Sequence, residues 1–375
     1  MMDGKKSPGI GGQKRVLFAG GGTGGHLMPA INIALELRRQ DSQSQALFVG
    51  RKDGMEKAIV EKFGFEIREI EIAGLKRNPL GILRFIRKWR KGLSQAKRIV
   101  AEYKPALVVG TGGYVSAPAV RAARKARTPV FLQEQNSLPG LATRTLSKMA
   151  EKVFIAYENA TKYIDKEKCL IVGNPVRPDL LDAVRDKSFG EFGLDPVKKT
   201  LLVIGGSSGA RGVNYFMLDI VRSGKIQDTW QILWQTGQKD YIDISEALTG
   251  VRFSGKHLAF IFNMPAAYAV ADLIVCRAGA MTLAEIAVWG LPSILIPYPY
   301  ATGDHQTLNA RAFAASGAAI VMPESEMVEK LPGVMLELML GDRKRKSMAT
   351  AARAQARPDA ARIIARTILE RVNAV

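Results

Sequence analysis

A glycine-rich segment that ends in a histidine is the part of this sequence whose residue types point most clearly to chemistry. Residues 20–26 read GGGTGGH and follow the apolar segment RVLFA. The spacing of Gly20, Gly22 and Gly25 matches G-x-G-x-x-G, a turn between a strand and a helix that binds phosphate groups. Glycine lets the backbone approach an anion closely, and free amides at a helix N-terminus donate to it. Histidine titrates near neutral pH, so His26 could accept a proton from a hydroxyl group beside that anion.

Three further segments offer groups that could bind an anion or a hydroxyl group. GGSSG places Ser207 after two glycines that follow an apolar segment. In CRAGAMTLAE, the amides of residues 280–282 are predicted to open a helix and face an anion, and Glu285 could accept both hydroxyls of a ribose. Arg177, in GNPVR, could donate two hydrogen bonds to a phosphate. Glu285 could instead be an acid that only stabilises its helix, and Arg177 could instead form an ion pair between the domains.

The first glycine segment could instead belong to a dinucleotide-binding enzyme. Such a site needs an acid about 20 residues further on, at the end of the second strand, to bind the ribose. Arg51 and Lys52 follow the second apolar segment, QALFVG, whereas Asp41 precedes it. This order disfavours an NAD site and leaves an NADP-dependent oxidoreductase, suggested by Arg51, as a remote alternative.

Two series of short apolar segments predict the elements that carry these residues. The first comprises RVLFA, ALFV, ALVV, PVFL, VFIA and CLIV, and the second TLLVIGG, QILW, LAFI, DLIVC, SILI and AAIV. Helical periodicity between them predicts an α/β protein with two Rossmann-like domains in tandem. We expect a flexible tail at 1–14, a first domain at 15–176, a second at 177–350, and a C-terminal helix at 351–375 that packs back on the first domain. Ligands of such sheets bind at the carboxyl ends of the strands, so a cleft with two phosphate-binding walls favours an enzyme that joins two phosphorylated substrates.

The charge of the chain is concentrated in its first half. The 375 residues include 54 Lys and Arg against 35 Asp and Glu, a formal net charge of +19. Residues 1–176 hold 31 Lys and Arg against 15 Asp and Glu, so most of the excess belongs to the predicted first domain. Only two cysteines are present, which argues against a disulfide framework. The first domain is therefore expected to face an anionic partner.

One basic segment, LKRNPLGILRFIRKWRK, accounts for much of this charge and predicts an amphipathic helix. It is either an ordinary helix packed on the core or an interfacial one, whose apolar side chains enter a lipid layer while its cations bind anionic headgroups. Nucleic-acid binding is disfavoured because no stacking or finger motif is present and the glycine segments have no use in it. We predict no nucleic-acid partner, and contact with an anionic membrane surface through Ile82, Arg84, Phe85, Ile86, Lys88 and Trp89.

Seven segments occur together in the order and spacing of one bacterial family. They are GGGTGGH (20–26), GTGGYVSAPA (110–119), EQNSLPG (134–140), GNPVR (173–177), GGSSGARGVN (205–214), CRAGAMTLAE (276–285) and DHQTLNA (304–310). On these segments residues 15–375 resemble the peripheral-membrane N-acetylglucosaminyltransferases of glycosyltransferase family 28, which convert lipid I to lipid II in peptidoglycan synthesis. The resemblance implies a GT-B fold, in which two Rossmann-like domains face a cleft. It also implies inverting transfer of GlcNAc from UDP-GlcNAc to the 4-hydroxyl of the MurNAc of lipid I.

The resemblance further implies roles for individual residues. His26 is expected to be the general base on the acceptor hydroxyl. The acceptor is expected to contact Thr23, Gly24, Gly25, Gly113, Tyr114 and Asn136. UDP-GlcNAc is expected to contact Thr23, Gly25, Asn136, Arg177, Ser207, Ile261, Ala280, Met281, Thr282, Glu285, His305, Gln306 and Asn309. Gln133, Ser208 and Asn263 stand where the family usually has other residues, so no role is carried over to them.

No metal or other cofactor is expected, because the sequence contains no D-x-D pair. Helix N-termini and Arg177 would then neutralise the leaving UDP. The resemblance places the enzyme at the cytoplasmic face of the bacterial cell membrane, with cell-wall and division proteins as candidate partners. The alternative is a related glycosyltransferase that uses another nucleotide-sugar or a soluble acceptor.

Overall fold

A computed structural model describes residues 14–54, 56–74, 78–206 and 209–374. Of the predicted tail, only Lys14 is among them, and Ser207 and Ser208 lie outside them. Within the described residues the chain alternates strands and helices and builds two separate parallel sheets. The two-sheet α/β architecture predicted from the apolar segments is confirmed.

The first sheet has seven parallel strands in the order β3-β2-β1-β4-β5-β6-β7. Its strands are β1 (Arg15–Ala19), β2 (Gln45–Arg51), β3 (Glu66–Ile70), β4 (Leu107–Gly110), β5 (Val130–Glu134), β6 (Lys152–Ile155) and β7 (Cys169–Ile171). The helices between them are α1 (Gly24–Gln40), α2 (Glu56–Lys62), α3 (Pro79–Tyr103), α4 (Gly113–Lys125) and α5 (Leu141–Leu146). Because β1 pairs with both β2 and β4, the strand order reverses beside β1, the position at which doubly wound sheets bind ligands.

The second sheet has six parallel strands in the order β10-β9-β8-β11-β12-β13. Its strands are β8 (Lys199–Ile204), β9 (Trp230–Gln235), β10 (Gly255–Leu258), β11 (Leu273–Cys276), β12 (Ser293–Leu295) and β13 (Ala319–Val321). Its helices are α6 (Arg185–Phe192), α7 (Arg211–Arg222), α8 (Tyr241–Ala247), α9 (Met264–Val270), α10 (Ala280–Trp289), α11 (His305–Ala314), α12 (Met327–Leu340) and α13 (Asp342–Ala354). Here β8 pairs with β9 and β11, so this sheet also has its reversal at its first strand.

Both sheets are covered by helices on both faces. The central strands therefore read as continuous apolar runs, as parallel strands do when no face meets water. In the first sheet, side chains from one face of β1, such as Leu17, pack with α4, and those from the other, such as Phe18, pack with α1. This packing fixes the ends of β1 and β4, from which the glycine-rich turns lead into α1 and α4.

The last helix, α14 (Ala360–Asn373), returns to the first sheet. Ile364 and Ile368 are fully buried in the same apolar cluster as Leu27 and Ile31 of α1. Residues 351–354 instead belong to α13, which packs on the second sheet through Ala352. The segment that packs on the first domain therefore begins after α13 and not at residue 351.

Among the described residues, no helix combines the length and the apolar character needed to cross a membrane.

Candidate active site

Loops at the carboxyl ends of the two sheets meet in one cleft. The side chain of Asn309, at α11, crosses it and donates to Asn136 Oδ1 over 3.1 Å. The oxygen of the same amide accepts from the backbone N–H of Ser137 over 3.0 Å. The cleft is therefore closed at this point by direct contact between the two domains.

The first glycine loop joins β1 to α1 and leaves amides open at the start of the helix. Gly22 has a φ of +86°, and its N–H donates to Glu56 Oε1 over 2.7 Å. Thr23 is the N-cap residue, but its side chain caps no amide, and the first turn of α1 contains no acid. Thr23 and Gly25 are exposed and Gly24 is half-buried. A helix N-terminus with these properties suits an anion, as the sequence predicts.

The second glycine loop, between β4 and α4, packs directly on the first. Gly112 and Gly113 have φ values of +98° and +72°. A β-carbon on Gly113 would overlap the Gly21 carbonyl oxygen, and one on Gly112 would lie 2.8 Å from His26 Nδ1. Only glycine fits both positions, because the backbone is left-handed and the neighbouring loop leaves no room.

His26 lies between these loops, in the first turn of α1. Its Nδ1 is 3.1 Å from Gln135 Oε1, and its backbone carbonyl accepts from Thr111 Oγ1 over 2.7 Å. The ring is half-buried. Tyr114 lies in the first turn of α4, and its hydroxyl is 3.3 Å from Arg51 Nη1. The structure thus brings together His26, the open amides and Tyr114, which the sequence assigned to the acceptor.

The second wall of the cleft is the N-terminus of α10. Gly279 caps this helix without a side chain, and its first turn contains no acid. Ala280 and Met281 are buried and Thr282 is partly exposed, so amides and one hydroxyl face the anion-binding end. The contacts of these three residues with UDP-GlcNAc stay a prediction.

Glu285 stands one turn further along α10, where Tyr268 Oη donates to its Oε2 over 2.7 Å. Burial raises the pKa of Glu285 to about 7, whereas the hydrogen bond from Tyr268 and the positive charge of Arg177 act in the opposite direction. Arg177 itself forms a bidentate pair with Asp179, at 2.5 and 2.6 Å, within the segment that joins the domains. Its guanidinium group is therefore near the donor wall but already paired with a carboxylate.

Other residues expected at the donor site are engaged with protein groups. Ile261 is buried and its N–H donates to Gln235 Oε1 over 2.8 Å. Gln306 Oε1 accepts from the Tyr298 N–H over 2.9 Å. Asn309 is buried, at 1% exposure, and both its polar atoms bond across the cleft. In this arrangement the side chain of Asn309 joins the domains, and its contact with a sugar hydroxyl stays a prediction.

His305, at the start of α11, has a ring nitrogen that no described protein group engages. Its Nδ1 is buried without a hydrogen-bond partner among the described residues. Burial is the main cause that lowers the pKa of His305, and His26 across the cleft acts in the same direction. The two histidines are therefore close enough to influence each other electrostatically.

The basic helix α3 presents an apolar face that differs in two respects from the prediction. Ile82, Leu83 and Ile86 are exposed by 44%, 66% and 45%. Trp89 is half-buried against the core of the first sheet, with the Arg121 guanidinium group 5.2 Å from its ring centroid. Trp89 is thus mainly a packing residue, and Leu83, which the helical pattern missed, belongs to the exposed face. Phe85 is half-buried and stacks on Trp89, while Arg84 is exposed and Lys88 half-buried.

Sequence reasoning also missed three polar residues that hold the site together. Glu56 is 1% exposed and holds the first glycine loop. Gln135 contacts His26, and Asn174 lies behind it at 4% exposure. Gln135 and Asn174 stand inside the segments EQNSLPG and GNPVR, so motif membership marked their neighbourhood but not their contacts.

Comparison with known proteins agrees with this geometry. The sequence profile of the glycosyltransferase family 28 N-terminal domain matches residues 16–155, and that of the family 28 C-terminal domain matches residues 200–364. The chain belongs to glycosyltransferase family 28. It is thus a glycosyltransferase, and the NADP-dependent oxidoreductase is not favoured.

Curated relatives of this family 28 chain cover nearly its whole length. Proteins of Desulforamulus reducens and Bacillus subtilis are 40% and 39% identical, each over 92% of this chain and 95% and 96% of their own. Both are named UDP-N-acetylglucosamine--N-acetylmuramyl-(pentapeptide) pyrophosphoryl-undecaprenol N-acetylglucosamine transferase.

Solved structures support the same assignment. The crystal structure of MurG from Acinetobacter baumannii superposes with a TM-score of 0.74 at 29% identity, covering 95% of this chain and 99% of that one. A Staphylococcus aureus MnaA–UDP structure, at 12% identity and a TM-score of 0.68, shares the fold. The predicted GT-B fold with two Rossmann-like domains is confirmed.

Proposed function

We propose that this glycosyltransferase transfers GlcNAc from UDP-GlcNAc to the 4-hydroxyl of the MurNAc of lipid I and so forms lipid II. The observation that carries the proposal is the convergence of two different anion-binding walls on one cleft. The loops around His26 form one wall, and the N-terminus of α10 with Glu285 forms the other. The names of the relatives over nearly the full chain support this donor and this acceptor.

In this reaction His26 removes the proton of the acceptor hydroxyl. The oxygen forms a bond to the anomeric carbon of GlcNAc while the bond from that carbon to the diphosphate breaks. UDP leaves with the electron pair, and the α-linked donor becomes a β-linked product by inversion. The amides at the start of α1 would hold the acceptor diphosphate, which brings the hydroxyl to His26.

The donor wall would stabilise the negative charge that develops on the leaving group. The described groups suited to this are the N-terminus of α10, with its partial positive charge, and the hydroxyl of Thr282. Glu285, when ionised, would accept the two ribose hydroxyls. The guanidinium group of Arg177 would reach a phosphate by leaving Asp179, whose carboxylate it binds in this structure.

The test of the reaction is product formation from UDP-GlcNAc and a lipid I analogue, measured by mass spectrometry in the presence of a chelator. We expect the disaccharide product without added metal. Product that forms only after magnesium is added would support the reaction but contradict the stabilisation of the leaving group without metal. No product in either condition would contradict the proposed substrates.

The role of His26 is tested separately. We expect His26→Ala to lower turnover about 10²- to 10⁴-fold, the range for loss of a general base. His257→Ala is the matched control, because His257 lies on the edge strand β10 and its ring pairs with Ser245 of α8 in the second domain. Turnover of His26→Ala within tenfold of the wild type would reject the base assignment.

We further propose that the enzyme acts as a peripheral protein at the cytoplasmic face of the cell membrane, through α3. Three exposed apolar side chains, Ile82, Leu83 and Ile86, lie on a helix with exposed Arg84 and Arg87. Each basic residue near an anionic surface contributes about 1 kcal/mol, so apolar insertion and charge act together. A lipid-linked acceptor makes this location chemically sensible.

The membrane proposal is tested by sedimentation with anionic vesicles. We expect the triple change Ile82→Ser, Leu83→Ser and Ile86→Ser to release the protein from the vesicles. The matched control is the corresponding triple change on α12, whose Val328, Leu336 and Leu340 are also exposed but belong to the second domain. Equal sedimentation of the α3 variant and the wild type would contradict the proposal.

A further inference from the structure

Three buried amide side chains connect His26 to the donor wall. Gln135, Gln133 and Asn174 are exposed by 2%, 0% and 4%. Gln135 lies beside His26, Gln133 is at the end of β5, and Asn174 lies in the segment that leaves the first domain. None of the three faces the open cleft, so their hydrogen bonds act on the protein itself and, through Gln135, on His26.

The orientation of this chain is fixed at the end nearest the second domain. Asn174 Nδ2 donates to the carbonyl oxygens of Gln135 and Ala280, at 3.0 and 3.3 Å. Backbone carbonyls only accept hydrogen bonds, so the NH₂ group of Asn174 must point at them. Its Oδ1 therefore faces Gln133 and accepts from Gln133 Nε2 over 3.2 Å.

The same reasoning fixes the next two amides. Because the NH₂ group of Gln133 donates to Asn174, its Oε1 faces Gln135 and accepts from Gln135 Nε2. Gln135 Nε2 also donates to the Thr111 carbonyl oxygen over 2.8 Å. Reversal of the Gln135 amide would set its oxygen against these two acceptors, so Gln135 Oε1 must face His26.

An oxygen in this position determines which ring nitrogen of His26 carries the proton. Gln135 Oε1 has no hydrogen to donate, and it lies 3.1 Å from His26 Nδ1. The contact is a hydrogen bond only when Nδ1 is protonated, which in a neutral ring leaves Nε2 with its lone pair.

We propose that Gln135 is a positioning residue that holds His26 as the Nδ1–H tautomer with Nε2 free, and that Gln133 and Asn174 hold Gln135 in the orientation this requires. The inference rests on the proposed function for its catalytic meaning, because a bare Nε2 is the atom that would accept the proton of the acceptor hydroxyl. The second domain also helps to orient Asn174, since one of the acceptors of Asn174 is the carbonyl oxygen of Ala280 at the start of α10.

The tautomer can be observed directly, without substrate. The sequence contains three histidines, so a protein labelled with ¹⁵N in its histidine rings gives three sets of signals, and His26→Ala identifies the set of His26. We expect wild-type His26, in its neutral form, to show a protonated Nδ1 and a bare Nε2. Free histidine favours the opposite tautomer, so the result would not arise by default.

Gln135→Met removes the acceptor while it keeps the length of the side chain. We expect the His26 signals to move toward the Nε2–H tautomer, and kcat to fall about 10- to 100-fold, as when the partner that orients a functional histidine is lost, with little change in the KM for UDP-GlcNAc. Gln231→Met is the matched control, because Gln231 is a buried glutamine on β9 that binds Asp195 and Thr200 away from the cleft.

Two results would overturn the inference. One is a wild-type His26 protonated at Nε2 in the neutral form, which requires no variant to fold. The other is a folded Gln135→Met protein with an unchanged tautomer. Failure of the proposed function looks different, because the wild type would then form no product, or His26→Ala would retain turnover, while the wild-type spectrum still showed the Nδ1–H tautomer.

Discussion

We expect UDP-GlcNAc to bind about tenfold more tightly at pH 8 than at pH 6, because of one carboxyl group. Burial raises the pKa of Glu285 to about 7, so the free protein holds this side chain largely protonated at pH 6 and largely ionised at pH 8. An ionised carboxylate can accept both hydroxyls of the ribose, whereas a protonated one has lost part of its accepting capacity.

The magnitude follows from the pKa of about 7. Such a group is ionised in about 10% of molecules at pH 6 and in about 90% at pH 8. If the ionised form binds the ribose, the apparent dissociation constant falls about tenfold over this range, and bound donor lowers the pKa of Glu285 in return. The diphosphate of UDP-GlcNAc carries no proton that is lost between these pH values, so the ligand does not contribute to the change.

Isothermal titration calorimetry with UDP-GlcNAc alone, at constant ionic strength and at several pH values, measures this dependence. Glu285→Gln should bind the donor more weakly and with a flatter pH profile, while it keeps His26 and His305, which also face the cleft. Tyr268→Phe should move the transition to higher pH, because the hydrogen bond from Tyr268 lowers the pKa of Glu285. Equal pH profiles for the wild type and Glu285→Gln would refute the reasoning.

Three further predictions concern stability and the geometry of the loops. Gly113→Ala should cost about 1–2 kcal/mol for its left-handed backbone alone, and more because the methyl group would overlap the Gly21 carbonyl oxygen. Gly140→Ala, with a φ of −62° and open space around it, should be neutral in denaturant titration, and equal stabilities of the two variants would contradict the packing described. Ile368→Ala should lower the free energy of unfolding by about 2–5 kcal/mol, since the side chain is fully buried; a loss below about 1 kcal/mol in urea titration would show that α14 is not docked as described. Because the pKa of Glu285 is raised, the folded state loses stability as the pH rises from the ordinary pKa of a glutamate toward 7. The thermal stability of Glu285→Gln should therefore exceed that of the wild type by more at pH 8 than at pH 5. An equal difference at both pH values would contradict the buried charge.

The strands and the glycine turns could be predicted from local sequence. Strands buried on both faces are short apolar runs, and the turns after β1 and β4 need glycine for their left-handed backbone, so both leave a direct mark in the residue types. The open N-termini of α1 and α10 could be anticipated for the same reason. Thr23 precedes α1, Gly279 precedes α10, and neither helix has an acid in its first turn, which is a pattern within a few residues of sequence.

The contacts that orient the site could not be predicted in this way. Gln135 meets His26 across more than a hundred positions of sequence, and its role depends on which end of an amide faces the ring. The side of α3 on which Trp89 lies depends on the neighbouring helix, since Arg121 of α4 covers its ring. The motif that contains Asn309 suggested a sugar ligand, but it carried no sign that both polar atoms of this side chain would also bond across the cleft.

The return of α14 to the first domain means that the polypeptide passes between the domains twice. The two passages lie side by side, because Gly173 of the first packs against Arg357 and Ala360 of the second. Two connections that lie side by side restrain the rotation of one domain against the other more than a single connection would. We therefore expect rotation about these two connections to be the least restrained motion of the domains, and it would change the distance between His26 and α10.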